Sequence, residues 1–485
     1  MHIVQKNPFE RKILLKDTLN EMRLKKMMAL VMAGVMALSI AACGKSDGSK
    51  EKAKDAPKKG EILGETLKYD TSVPVNDGEK IELTIWTDPE PQPYYQEIAD
   101  KYHAIHENVT IKVVSQPWDD YWTKLPLALE AGNGPDLYRS HPARFPNVKN
   151  YSYELPEDIF PAEEVKADFP IYDETLVDGK LYSIPLGMTT GAGIYYNKTM
   201  WKEAGLTEED IPKTWEEFEE VGKKLVKKDD KGNITQYGFS VDHAFEGFID
   251  TMNYASNIPA FKEDGFTYNL DNEVTYENIE MMQRWKDEFM MYSDGDAEDE
   301  FGHEQVAMIG HWNWVAGYFN TTYPEIDWGF FLVPTKDGKQ PAAYDRFDLE
   351  WTLSVSAKDK AKRAVAFDLL KFYACEQNSY LDHAVRIGCI CANKKLQSDP
   401  KWEEQPNLKA ISEVADRLVY PGVIPTYEAR NKAMRAAGSD IFINGKNPRE
   451  VIPAVVKQLS EDAKKNGITF KAEEEKYAHY NEMTK

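Results

Sequence analysis

Polar and apolar residues alternate through Lys80-Ile81-Glu82-Leu83-Thr84-Ile85-Trp86. That period of two predicts a half-buried β-strand. Pro89, Pro91 and Pro93 then interrupt the chain, and Tyr94 to His106 has helical spacing. Val109 to Ser115 alternates again as a second strand. Asp119 to Ala131 reads as a helix carrying Tyr121, Leu125, Leu127 and Leu129, stopped by Gly132-Asn133-Gly134. Pro135-Asp136-Leu137-Tyr138 opens a third strand. Strand, helix, strand, helix, strand is the repeating unit of an open α/β sheet.

The theme continues downstream. Leu181 to Pro185 and Gly193 to Asn197 read as short strands, and Thr199 to Ala204 as a helix ended by Gly205. Thr214 with Glu217 three residues on is a capping box, which starts a helix over Trp215 to Lys227. Tyr276 to Tyr292 is a long amphipathic helix. Val306 to Gly310, Trp328 to Pro334 and Thr352 to Ser356 read as strands, and Lys360 to Ala374 as a helix. The last third is mostly helical. No short repeat emerges, which excludes a solenoid.

The N-terminal region has a different pattern. Arg23, Lys25 and Lys26 precede an apolar run from Met27 to Ile40, then Ala41, Ala42 and Cys43. This is a secretory signal layout, and the run is short of the ~20 residues a membrane span needs. Ile40-Ala41-Ala42-Cys43 resembles the lipobox of bacterial lipoproteins, in which the Cys is acylated and becomes the first mature residue. Met22 is the better start. Residues 44–60 are rich in Lys, Asp, Ser and Gly without apolar periodicity, as expected of a solvated tether.

Composition narrows the classes. With 485 residues, two or three lobes are expected. Hydrophobic residues at 42% and aromatics at 12% suffice for real cores. A net charge of −22 argues against a nucleic-acid binder, which needs a basic face. Four cysteines make no disulfide scaffold. With Cys43 lipidated, Cys375, Cys389 and Cys391 remain, and unpaired structural thiols are expected. Cys389-x-Cys391 lacks the second pair that a metal site wants, and no metal or cofactor is expected. His103 and His106 read as solvated helix residues.

Several segments follow one another in a telling order: Asp178-Gly179-Lys180-Leu181-Tyr182-Ser183-Ile184-Pro185, Ile194-Tyr195-Tyr196-Asn197-Lys198, Glu203-Ala204-Gly205-Leu206 and Pro212-Lys213-Thr214-Trp215-Glu216-Glu217-Phe218. Ala131 to Asp136, Val306-Ala307-Met308 with Gly310 and Trp312, and Ala361 to Tyr373 add to it. This order resembles the family 1 extracellular solute-binding proteins of ABC importers, from about Ile81 to the C-terminus. The resemblance implies a periplasmic-binding-protein-like α/β fold: two α/β lobes, crossing hinge strands and a ligand cleft between them. It implies a signal peptide at 1–42, the lipidated Cys and flexible tether at 43–78, and the first part of lobe 1 at 79–188. Lobe 2 then begins at 189–351, lobe 1 returns at 352–408, and helices of lobe 2 fill 409–485.

Open α/β sheets bind ligands at the carboxyl ends of their strands. Trp86 and Asp88 follow the first strand, Arg139 and His141 the third, and Trp312 and Trp314 the Ala307-Met308 strand. Asp345, Phe347 and Trp351 belong to a polar–aromatic cluster near the expected hinge, and Tyr427 stands before a C-terminal helix. Aromatic faces suit the apolar face of a pyranose, and charged groups suit its hydroxyls. The expected ligand is therefore a sugar or oligosaccharide. The expected partners are the membrane permease subunits of an ABC importer and, through Cys43, the lipid bilayer, with the protein a monomer on the outer face of the cell membrane. The Asp345–Trp351 stretch departs from the family, many members of which carry a Gly pair there, so a maltose-like ligand is in doubt. A polyamine, metal or peptide is the alternative ligand. A surface carbohydrate-active enzyme is the remaining rival, but no G-x-S-x-G elbow follows an expected strand, HExxH is absent, and a carboxylate pair is uninformative among 81 acidic residues.

Overall fold

The computed structural model describes residues 55–89, 91–190, 193–241, 245–259, 261–262, 264, 267–293, 295–339, 347–404 and 427–465. The signal segment and Cys43 lie outside them. Among the described residues no helix is long and apolar enough to cross a membrane.

A hairpin of β1 (Ile62–Leu63) and β2 (Tyr69–Asp70) comes first. Then β3 (Ile81–Thr87), α1 (Gln92–Ile105), β4 (Val109–Ser115), α2 (Trp118–Ala131) and β5 (Leu137–Arg139) follow in the alternation that the polar–apolar pattern predicts. After α3 (Ala162–Asp168) come β6 (Ser183–Thr190), β7 (Gly193–Asn197), α4 (Lys198–Glu203) and α5 (Trp215–Lys224). The hairpin β8 (Lys227–Lys228) and β9 (Ile234–Gln236) leads to β10 (Phe239–Val241), α6 (Glu246–Ala255), α7 (Glu273–Glu288) and β11 (Met290–Met291). Next are α8 (Ala297–Gly302), β12 (Met308–His311), α9 (Val315–Thr322) and β13 (Trp328–Phe331). The long β14 (Phe347–Val355) precedes α10 (Lys360–Cys375), α11 (Gln377–Ile387) and β15 (Ile390–Cys391). The C-terminal helices are α12 (Tyr427–Gly438) and α13 (Pro448–Lys465).

These elements make two α/β lobes. The first holds a six-stranded sheet in the order β15-β6-β14-β5-β3-β4, and the second a five-stranded sheet in the order β11-β10-β12-β7-β13. In the first, β3 runs parallel to β4 and β5, so their carboxyl ends meet at one edge. In the second, β10 runs parallel to β11 and β12, and β7 runs antiparallel to β12 and β13. The two sheets are linked by neighbouring strands. The chain leaves the first sheet along β6 and returns along β14, and the two are paired from Phe347–Thr190 to Ser354–Ser183.

Local chemistry accounts for most element boundaries. The capping box forms as expected: Glu217 N–H donates to Thr214 Oγ1 at 3.2 Å, and Thr214 N–H to Glu217 Oε2 at 3.1 Å. α5 nonetheless ends at Lys224 rather than Lys227, because Lys227 and Lys228 pair with β9 across the Asp229–Asn233 turn. β6 runs five residues beyond the expected Pro185, since β14 and β15 flank it on both sides there. Gly187 is required at that crowded point, as an ideal Cβ would lie 2.4 Å from the Ile390 carbonyl oxygen. Arg430 of α12 clasps Asp250 of α6 with both carboxylate oxygens at 2.8 Å, and Met434, Ile441 and Ile452 join the second lobe's core. Cys375, Cys389 and Cys391 are buried in the first lobe as thiols outside any disulfide among the described residues. Burial pushes those of Cys375 and Cys391 up to about 12, so neither is a thiolate at neutral pH.

The tether is shorter than the expected 43–78. Leu67, Tyr69 and Val75 are buried in the first lobe's core. The Asp168 carboxylate accepts the N–H groups of Thr66 and Leu67. The Tyr69 hydroxyl lies 2.7 Å from His106 Nε2 and 2.7 Å from Asp368 Oδ2, which also accepts from Tyr102. Short apolar groups separated by Gly and Asp gave this stretch no legible period, yet it supplies three core side chains. Tyr69→Phe is expected to destabilise the protein by about 1–3 kcal/mol, read as a lower urea midpoint, because buried partners lose their hydrogen bonds. An unchanged midpoint would mean that this hairpin is not integral to the lobe.

Candidate ligand-binding cleft

The carboxyl ends of β3 and β5 lie side by side in the first lobe, which brings Asp88 and Arg139 together. Arg139 Nε is 3.4 Å from Asp88 Oδ1, and its Nη2 is 3.3 Å from Glu350 Oε2. All three side chains are buried. Glu350 sits where the β14–β6 register shifts, between the Glu350–Gly187 and Trp351–Pro185 pairs. Such irregularities re-aim side chains, and here the sheet delivers a carboxylate to Arg139. The Tyr121 hydroxyl donates to the Arg139 carbonyl at 2.7 Å and holds the backbone of the strand end.

An aromatic wall stands over this ion group. The guanidinium of Arg139 lies 4.8 Å from the Trp118 ring centroid, a cation–π distance. Trp118, in the first turn of α2, is 37% exposed, one of few large apolar side chains among the described residues to reach solvent. Trp122 meets it edge-on at 5.4 Å, and His141 meets both indoles at 6.1 Å. Arg144 lies over Trp118 at 6.0 Å and Trp122 at 5.8 Å. Trp86 is half-buried against the same cluster. Trp351 has a different role from the expected ligand face: it is 2% exposed and packs edge-on against Phe145 at 5.3 Å, so it supports the floor from beneath. Its position on β14 decides this, since residues alternate between the two faces of the sheet.

The second lobe contributes the residues after β12. Trp312 is half-buried and wedged against α6, with its Nε1 2.6 Å from where a Cβ on Gly247 would lie. Trp314 packs against the cores of both lobes. His311 Nε2 is 3.2 Å from Glu298 Oε2, and the ring meets Trp314 edge-on at 4.7 Å. The structure thus groups Trp86, Asp88, Arg139 and His141 on one lobe and Trp312 and Trp314 on the other. Asp345 lies outside the described residues. Phe347 and Tyr427 are described only as the first residues of β14 and α12, and nothing of their side chains is described. The Glu298–His311 contact and the Tyr121 bond to the Arg139 carbonyl went unnoticed in the sequence. The one available signal was that His311, like Arg139, ends a strand.

A family model described as "Bacterial extracellular solute-binding protein" matches residues 97–410. This chain belongs to that family. Among its relatives, the arabinooligosaccharide-binding protein of Halalkalibacterium halodurans is 30% identical over 72% of this chain and 76% of its own length. The galactooligosaccharide-binding protein of Bacillus subtilis is 24% identical over 80% of this chain and 86% of its own. Among solved structures, a Listeria monocytogenes ABC substrate-binding protein in complex with cycloalternan superposes with a TM-score of 0.67 at 18% identity, covering 81% of this chain and 100% of that one. The maltose/maltodextrin-binding domain from Bdellovibrio bacteriovorus bound to maltotriose gives 0.65 at 18% identity, over 80% of this chain and 99% of that one. These are binding proteins, and the two solved structures share the two-lobed fold.

In this solute-binding protein the site's charges are arranged for burial. Placing Asp88 and Glu350 in a low-dielectric wall is costly, and Arg139 between them offsets that cost. His141 is held well below its ordinary pKa of 6.5 by burial of its ring and then by the Arg139 and Arg144 charges, so it is neutral. His383 is lowered in the same sense by burial and then by Arg139. The unfolded chain takes up protons on both residues near pH 6.5, whereas the folded chain does not. Stability therefore falls as pH drops below about 6.5. In His141→Gln, urea unfolding at about pH 7.5 and about pH 5.5 is expected to show a smaller loss than in the wild type. An identical loss in both proteins would remove His141 from this account.

Proposed function

We propose that this solute-binding protein captures a sugar or oligosaccharide between its lobes and delivers it to the permease of an ABC importer. The observation that carries the reading is the Trp118 face laid over the buried Asp88–Arg139–Glu350 group. An indole covers the C–H face of a pyranose at little conformational cost, and the ion group beneath is suited to hydroxyls at the sugar's edge. Arg139 and Arg144 together match the two carboxylates Asp88 and Glu350 in number, which favours a neutral ligand over a polyamine. The names of the relatives point the same way. Trp86, Asp88, Arg139, His141, Trp312 and Trp314 are the proposed contacts, with Trp118 added to them and Trp351 as support. Asp345, Phe347 and Tyr427 remain proposed contacts from the sequence alone.

In this reading the ligand touches both lobes only when they are closed, and so favours closure by its extra contacts in that state. Acylation of Cys43 holds the protein at the outer face of the membrane, where the closed form meets the permease. ATP hydrolysis belongs to a separate subunit, and the chain has no G-x-x-x-x-G-K-[ST] run.

A thermal-shift screen against mono- and oligosaccharides, with polyamines and metal ions beside them, tests the ligand class. The right ligand at about 100 times its Kd adds about 2.7 kcal/mol of stability, a clear rise in Tm. Trp118→Ala is expected to weaken that ligand about tenfold or more, because a stacking face is lost, with a modest fall in the Tm of the ligand-free protein from the lost cation–π contact to Arg139. A rise only with a polyamine or metal would overturn the sugar reading.

A further inference from the structure

The lobes also touch away from the paired strands β6 and β14. α9 of the second lobe packs on α11 of the first, and glycine at two positions makes the approach possible. An ideal Cβ on Gly317 would lie 1.8 Å from the Arg386 carbonyl oxygen, and one on Gly388 would lie 2.8 Å from the Asn313 carbonyl oxygen. Gly388 caps α11 at a φ of 74°, a conformation that glycine adopts without strain. Its carbonyl accepts a hydrogen bond from Asn313 Nδ2 at 2.7 Å, and Asn313 is 1% exposed. Trp314, the next residue, touches both cores, and Trp312, the preceding one, is a proposed ligand face.

We infer that this Asn313–Gly388 and Gly317–Arg386 contact is an interlobe clamp that acts without ligand. A hinge motion that separates the lobes must either turn about this contact or break it. The main chains here meet with no side-chain slack, and packed interfaces of that kind have discrete arrangements rather than a continuum. A buried hydrogen bond from the Asn313 amide to the Gly388 carbonyl, flanked by the Trp314 wedge, joins the lobes beside Trp312. The clamp therefore biases the ligand-free protein toward the arrangement in which Asn313 meets Gly388, and a ligand inherits a partly assembled site. Loosening the clamp lowers the binding-competent population, and the apparent affinity falls by the same factor. The inference rests on the cleft lying between the lobes, but not on which solute fills it.

Small-angle X-ray scattering of the ligand-free intact protein reads the lobe separation directly. Gly317→Ala forces a methyl group into the Arg386 carbonyl, and Asn313→Ala removes the bond without a clash. Both variants are expected to show a larger radius of gyration than wild type, with Gly317→Ala the larger, and unchanged far-UV circular dichroism. A ligand found in the thermal screen is expected to bind Gly317→Ala about tenfold more weakly, the factor that follows if the competent population falls to about a tenth. Wild-type scattering in both variants would overturn the clamp and leave the contact as a pivot or passive packing. Should Gly317→Ala fail to fold, Asn313→Ala decides on the same criterion. Because the scattering needs no ligand, a failed sugar screen and a failed clamp are separate results.

Discussion

The return of the chain along β14 is the constraint on which the rest of the structure depends. Without β14, β5 and β6 would each present an open edge in the middle of the first lobe. β14 pairs antiparallel with both, and its first residues lie beside the last residues of β6, where the chain passes between lobes. Unpaired buried backbone is costly, so the strand has to be there. The same strand carries Leu349 and Trp351 into the core and Glu350 to Arg139. One element thus completes the sheet, sets the hinge position and supplies one of the site's two carboxylates.

That economy explains the electrostatics of the site. A guanidinium buried at a strand end would be costly alone, as would either carboxylate. Parallel pairing of β3 with β5 brings Asp88 to Arg139, and β14 brings Glu350 from the other side. The indoles of Trp118 and Trp122 cover the group without competing for its hydrogen bonds. Burial of its ring, and then the charges of Arg139 and Arg144, keep His141 neutral. The wall so formed is nearly balanced in charge, which suits the proposed recognition of a neutral, hydroxyl-rich molecule. A clamp at Asn313 and Gly388 would extend the same economy to motion, since Trp312 and Trp314 flank the residue that bridges the lobes.

The sequence by itself determined the class of fold. The alternation of β3, the helical spacing of α1 and α2, and the Thr214–Glu217 box are local properties, legible because backbone geometry imposes periods of two and 3.6. The order of motifs pointed to the family, and the strand-end rule singled out Asp88, Arg139, Trp312 and Trp314. Tertiary structure decided what those residues do. Trp351 and Trp118 are both tryptophans near the site, and only strand alternation and helix placement make one a buried support and the other a partly exposed face. The folding of residues 61–78 onto the first lobe, the link from Glu350 to Arg139 and the fit of Gly317 against Arg386 all join residues remote in sequence. Their partners are chosen by packing and by the pairing of buried charges, which leave no periodic trace along the chain.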